Sequence, residues 1–135
     1  MKTITISSFE DKLIIGLRIS LGIIFFWFGA LKVAGYNPVY EIVNASFPFF
    51  AAGIGNIILG SIEATIGLGL LFGLLRRAIH TALFLHLLGT FFVFISAPEL
   101  MFQPFFPILT LPGEFVFKNI TLAMAGLVVL GYHKK

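Results

Sequence analysis

The spacing of apolar residues limits this chain more than any other feature. Four apolar runs, 13–34, 51–75, 78–97 and 115–132, follow one another with short polar or proline-marked breaks. Each is close to the roughly 20 residues that carry an α-helix across the hydrocarbon of a bilayer. A chain of 135 residues with 59% apolar and only 11% charged side chains could not hide that surface from water in a small soluble core. The pattern predicts an all-α integral membrane four-helix bundle, formed as a single domain over residues 1–135 with the lipid bilayer as its solvent.

Lysine and arginine placement gives this bundle an orientation. Lys2 and Lys12 precede the first run, Arg76 and Arg77 join the second to the third, and Lys134 and Lys135 follow the fourth. All of them fall on one side of a chain that crosses four times. The opposite loops, about residues 35–50 and 98–114, hold no lysine or arginine. The positive-inside rule then places both termini in the cytoplasm. The net charge of +3 is spread between apolar runs and does not indicate nucleic acid. The first run is too long for a signal-peptide core, contains Arg18 and lacks a small-residue cleavage site. Cysteine is absent, which excludes thiol redox chemistry and thiolate metal sites.

The outer loops are apolar and rich in proline. They carry Tyr36, Pro38, Tyr40, Glu41 and Phe47–Phe50, then Pro98, Met101, Phe102, Pro104–Pro107 and Pro112. Interfacial anchoring is the first expectation for them, and a lid over the bundle mouth the second.

Ionisable residues within the spans are costly and therefore informative. Arg18, Gly22, Phe25, Gly29 and Lys32 share one face of the first helix by their three- and four-residue spacing, and Asn56, Gly60, Glu63 and Gly67 share one of the second. Ala82, His86, Thr90 and Val93 form a face of the third, and Lys118, Thr121 and Ala125 one of the fourth. Small residues on such faces mark close helix contacts, so the faces are expected to point inward. Glu63 lies about 18 Å and Lys118 about 21 Å from the inner helix ends at about 1.5 Å per residue. Their matching heights predict a buried Glu63–Lys118 ion pair, touched by His86 or Thr90.

Arg18 and Lys32 could instead snorkel to opposite headgroup layers. His80 reads as interfacial and His133 as solvated. One midplane carboxylate with one nearby histidine is too little for a metal site. Gly69 and Gly73 form a GxxxG step that could mark a homo-oligomer seam. With Arg18, Lys32 and Lys118 against Glu63, the seam is cationic and would suit an anionic or carbonyl-bearing ligand, a small oxyanion or a quinone head.

Arg18–Gly22 leading to Phe28–Lys32, then Glu63–Gly73 followed by Arg76 and Arg77, then Gly113–Asn119, resemble in order and spacing the DoxX-like superfamily of small four-helix membrane proteins. Tyr40-Glu41 and the final block resemble the branch that includes a reactive-chlorine-resistance membrane protein. The resemblance implies an inner-membrane bundle linked to redox or oxidative-stress physiology, since some relatives are subunits of a thiosulfate:quinone oxidoreductase. It also implies that Arg18, Lys32, Glu63, Lys118 and Asn119 are the recurring polar residues.

The candidate ligand-binding seam is therefore Arg18, Lys32, Glu63, His86, Thr90, Lys118 and Asn119. A quinone is the candidate cofactor, and a membrane redox subunit the candidate partner. No nucleophile–base pair points to catalysis by this chain alone. Two rival readings are an accessory or assembly subunit of a membrane complex and a small transporter or channel. The latter is weakened by four short spans that show no interruption in the sequence.

Overall fold

The computed structural model describes residues 2–131; the side chains of Lys2, His133, Lys134 and Lys135, and the end of the fourth run at Tyr132, lie outside what is described. Eight α-helices are found among these residues: α1 (Lys2–Val33), α2 (Tyr40–Ser46), α3 (Gly53–Phe72), α4 (Arg76–Thr90), α5 (Val93–Ser96), α6 (Pro98–Met101), α7 (Leu111–Phe117) and α8 (Asn119–Gly131). A 3-10 turn at Pro48–Phe50 precedes α3. Four stretches are long and apolar enough to cross a membrane: Phe9–Val33, Gly53–Phe72, Arg76–Ser96 and Leu111–Gly131. The fold is thus an all-α bundle of four membrane spans. Its outer surface carries exposed Ile23, Trp27, Ile62, Leu85, Ile120 and Leu127, a coat suited to lipid and not to water.

Two spans are interrupted, contrary to the sequence expectation. The third breaks at Phe91–Phe92 between α4 and α5, and the fourth at Lys118 between α7 and α8. The fourth span also begins at Leu111, earlier than hydropathy indicates, because Thr110 caps it: its hydroxyl accepts from the Gly113 N–H at 3.0 Å.

Glycine decides how α1 meets α3. A methyl group built on Gly29 would run into the backbone of Ala64, and one on Gly67 into the backbone of Phe26. Gly22 and Gly60 face α3 and α1 in the same way. Only hydrogen fits at these positions, so the two helices lie backbone to backbone and share dispersion contact along their length. α3 ends where Gly73 takes φ +66° and its N–H returns to the Gly69 carbonyl. Gly69 is covered by Ile79 of the same chain, and the Gly69–Gly73 step serves the turn into α4.

Two apolar cores follow from this packing. Leu21, Phe25, Ile66, Leu70, Ile79, Leu83, Leu87 and Val129 fill the bundle itself. Val93, Ala97, Met101 and Val116 form a second, outer core, against which Ile42, Ala45, Phe94 and Phe102 pack. The outer loops are therefore a folded cap. The second loop is closed by a single bridge between Phe102 and Leu109, and the Thr110 N–H donates to the Met101 carbonyl at 2.8 Å.

Candidate functional site

The glycine ridges bring Lys32 and Glu63 together. Gly60 stands opposite Lys32, where any side chain would collide with the lysine Cβ. One turn further along α3, Glu63 Oε1 accepts from Lys32 Nζ at 2.8 Å. Glu63 Oε2 lies 2.6 Å from His86 Nε2 of α4. Lys32 and Glu63 are 3% and 4% exposed, so neither charge reaches water or headgroups. Each remains tolerable only because the other offsets it.

The expected Glu63–Lys118 pair is not formed. Lys118 sits at the break between α7 and α8, and its side chain is exposed. The buried face of the fourth span runs through Gly113, Val116, Asn119, Gly126 and Val129, beside the expected Lys118, Thr121 and Ala125. Asn119, Gly126 and Val129 are buried, whereas Lys118 and Thr121 are exposed. Snorkelling of Lys32 is likewise excluded by its burial. Arg18 belongs elsewhere, at the inner end of the bundle against Gly73. His80, one turn into α4 from Arg76, is buried, with 3% exposed. Glu41, Glu99 and Glu114 of the outer loops are exposed.

With Lys118 and Arg18 removed, the seam is no longer cationic: one lysine faces one carboxylate, with a histidine beside them. Asn56 joins this group, donating from Nδ2 to the Lys32 carbonyl at 3.1 Å. Its place on the Gly60–Gly67 face was legible, but its bond to the end of α1 was not. Asn119 Nδ2 donates to Thr90 Oγ1 at 2.9 Å, and Thr90 Oγ1 in turn donates to the Leu87 carbonyl at 2.6 Å.

Lys32, Glu63, His86, Thr90 and Asn119 all line one cavity of about 680 Å³. Its other walls are apolar, including Phe25, Phe28, Leu59, Phe115 and Leu122, and α2 with the 3-10 turn closes it through Val39, Ile42, Phe47 and Phe50. The first outer loop thus covers the cavity, the second of its two expected roles. Ile62, Leu85 and Phe47 line the cavity yet are 44%, 64% and 43% exposed on the outer surface. They form a rim that opens sideways toward lipid. Phe25 meets the edge of the His86 ring with centroids 5.4 Å apart, and holds that ring in place. His86 Nδ1 is buried without a hydrogen-bond partner. No cluster of three or more metal-ligating side chains exists among the described residues.

Taken together, the four spans, the lipid-suited coat and the buried Lys32–Glu63–His86 group define a polytopic membrane protein with a polar centre inside an apolar bundle. The family model DoxX matches residues 13–96, which contain all three of these side chains. The chain belongs to the DoxX family. That match ends before Lys118 and Asn119, so it does not reach the last block of the resemblance. Comparison with curated proteins and with solved structures gave no match.

Proposed function

We propose that the cavity binds a lipid-soluble ligand with a compact carbonyl- or hydroxyl-bearing ring, a quinone by class, in support of a membrane redox partner. The setting is a bacterial inner membrane with both termini cytoplasmic. One observation carries the reading: a charge-balanced Lys32–Glu63–His86 group on the wall of an apolar cavity whose rim is exposed to lipid. An apolar pocket with few convergent polar groups is the usual form of a small-molecule site. A neutral polar centre favours a neutral ligand over an oxyanion, because Glu63 already satisfies the lysine.

His86 supplies the contact once its buried Nδ1 is uncovered to the cavity. When Nε2–H donates to Glu63, Nδ1 holds a lone pair and can accept from a quinol hydroxyl. With a proton on Nδ1 the ring donates to a quinone carbonyl instead. The same atom can thus face either ligand form. Asn119 and Thr90 offer a second polar point on the far wall.

A short-chain quinone added to the purified protein should raise its thermal midpoint saturably, and His86→Phe should abolish the rise. Absence of any co-extracted quinone together with no quinone-dependent shift would defeat the reading. The channel alternative gains from the interrupted third and fourth spans, but the bundle core fills the half of the protein below the cavity.

A further inference from the structure

The second outer loop contains a tight hairpin, residues 102–109, closed by the bridge between Phe102 and Leu109. Its polar groups turn back on the hairpin itself. The Gln103 N–H donates to the Ile108 carbonyl and the Ile108 N–H to the Phe105 carbonyl, both at 2.9 Å. Pro104 and Pro107 bring no N–H to the turn. The Gln103 side chain folds toward the base, where Nε2 donates to the Glu99 carbonyl at 2.9 Å. Thr110 Oγ1 donates to the Leu100 carbonyl in the same region. A turn with so few open donors leaves water at small cost.

What faces outward is apolar. Phe105, Phe106, Ile108 and Leu111 are 65%, 74%, 45% and 81% exposed, and residues 100–113 include no charged side chain. A cluster of that kind marks a surface that something apolar covers. The hairpin is also held close to the third span. The rings of Phe91, Phe94, Phe102 and Phe106 follow one another with centroids 6.3, 5.7 and 5.1 Å apart. Phe91 and Phe94 belong to the span Arg76–Ser96, so the series leads from within a span to the hairpin tip. Met101, at the hairpin base, is fully buried in the outer core with Val93, Ala97 and Val116.

We propose that the hairpin inserts Phe105 and Phe106 into lipid at the membrane face opposite the Arg76–Arg77 turn, among acyl chains just below the headgroups. Lipid is the occupant because the exposed surface runs on at Leu111 into the fourth span, which lipid already bounds. Apolar groups of interfacial segments settle about 5–10 Å into this boundary. With no cation in residues 100–113, the contact draws on apolar burial and not on lipid charge.

The test uses the full chain with Trp27→Phe, which removes its one tryptophan, and Phe106→Trp, which puts a fluorophore at the tip. The protein is reconstituted at low density in phosphatidylcholine vesicles whose chains carry bromine near the headgroup end or near the methyl end, with iodide on both sides as the aqueous quencher. The emission is expected to fall more with bromine near the headgroup than with bromine near the methyl end, to resist iodide, and to fall equally when phosphatidylglycerol is included. Phe105→Trp in the same background gives the same reading if the first variant does not fold. Quenching by iodide and not by bromine shows a tip in water and overturns the proposal. Protection from both quenchers shows a tip covered by protein, a second copy included, and overturns it too. So does quenching that is strongest at the methyl end or that requires phosphatidylglycerol.

Discussion

Replacing Lys32 by methionine keeps the length of the side chain and removes its charge, leaving Glu63 with His86 alone. The bond broken is 2.8 Å long and almost wholly buried. At that separation and an effective dielectric of about 20, the attraction between the charges is about 6 kcal/mol, most of it offset by their desolvation. What the single variant exposes is the stranded carboxylate, so Lys32→Met is expected to cost about 3–5 kcal/mol. Glu63→Gln strands the ammonium and should cost a similar amount. The double variant removes both charges, leaves an amide for His86, and should return to within about 1 kcal/mol of the parent. Reversible unfolding in mixed micelles, followed by circular dichroism, measures all four proteins of this cycle. Lys118→Met is the control: its side chain is exposed, and a change within about 0.5 kcal/mol is expected. If the two single costs simply add in the double variant to within about 0.5 kcal/mol, Lys32 and Glu63 are not energetically coupled and the argument fails.

Two further expectations concern packing and orientation. Gly67→Ala should destabilise the bundle by about 1–3 kcal/mol, because its methyl would meet the Phe26 backbone and the Gly22 carbonyl. Gly16→Ala meets nothing within 4 Å and should be neutral or stabilising by up to about 1 kcal/mol in the same assay. The cysteine-free chain also permits clean single-cysteine labelling. Tyr36→Cys should react with an impermeant maleimide in intact cells, and Leu74→Cys only after permeabilisation; the opposite pattern would invert the orientation.

Much of the site could be read from the sequence because charge inside a membrane leaves few options. Glu63 had to find a partner, and the inward faces of α1 and α3 follow directly from Gly22, Gly29, Gly60 and Gly67. The choice of partner was misread because depth was counted along straight helices. That counting gives height but not facing: the buried face of the fourth span runs through Gly113, Val116, Asn119 and Gly126, which leaves Lys118 outside it. Hydropathy does not register the break at Lys118, since both sides of it are apolar. The correct pairing was available from another signal. Once Gly29 is set against Ala64, as closest approach of two small residues suggests, Lys32 falls opposite Gly60, one turn from Glu63. The role of the first outer loop was harder to see: its phenylalanines serve a lipid interface and a cavity roof equally well, and only the fold of α2 over the bundle separates these uses.

Between the cavity and the inner end of the bundle lies a layer of Leu21, Ile66 and Leu83, each no more than 1% exposed. This layer is a dry septum. Its three side chains carry no hydrogen-bonding group, and they separate the Lys32–Glu63–His86 group from Arg18 and His80. The two polar groups are therefore insulated from each other by side chains alone, so a change of charge at Glu63 is expected to leave Arg18 undisturbed.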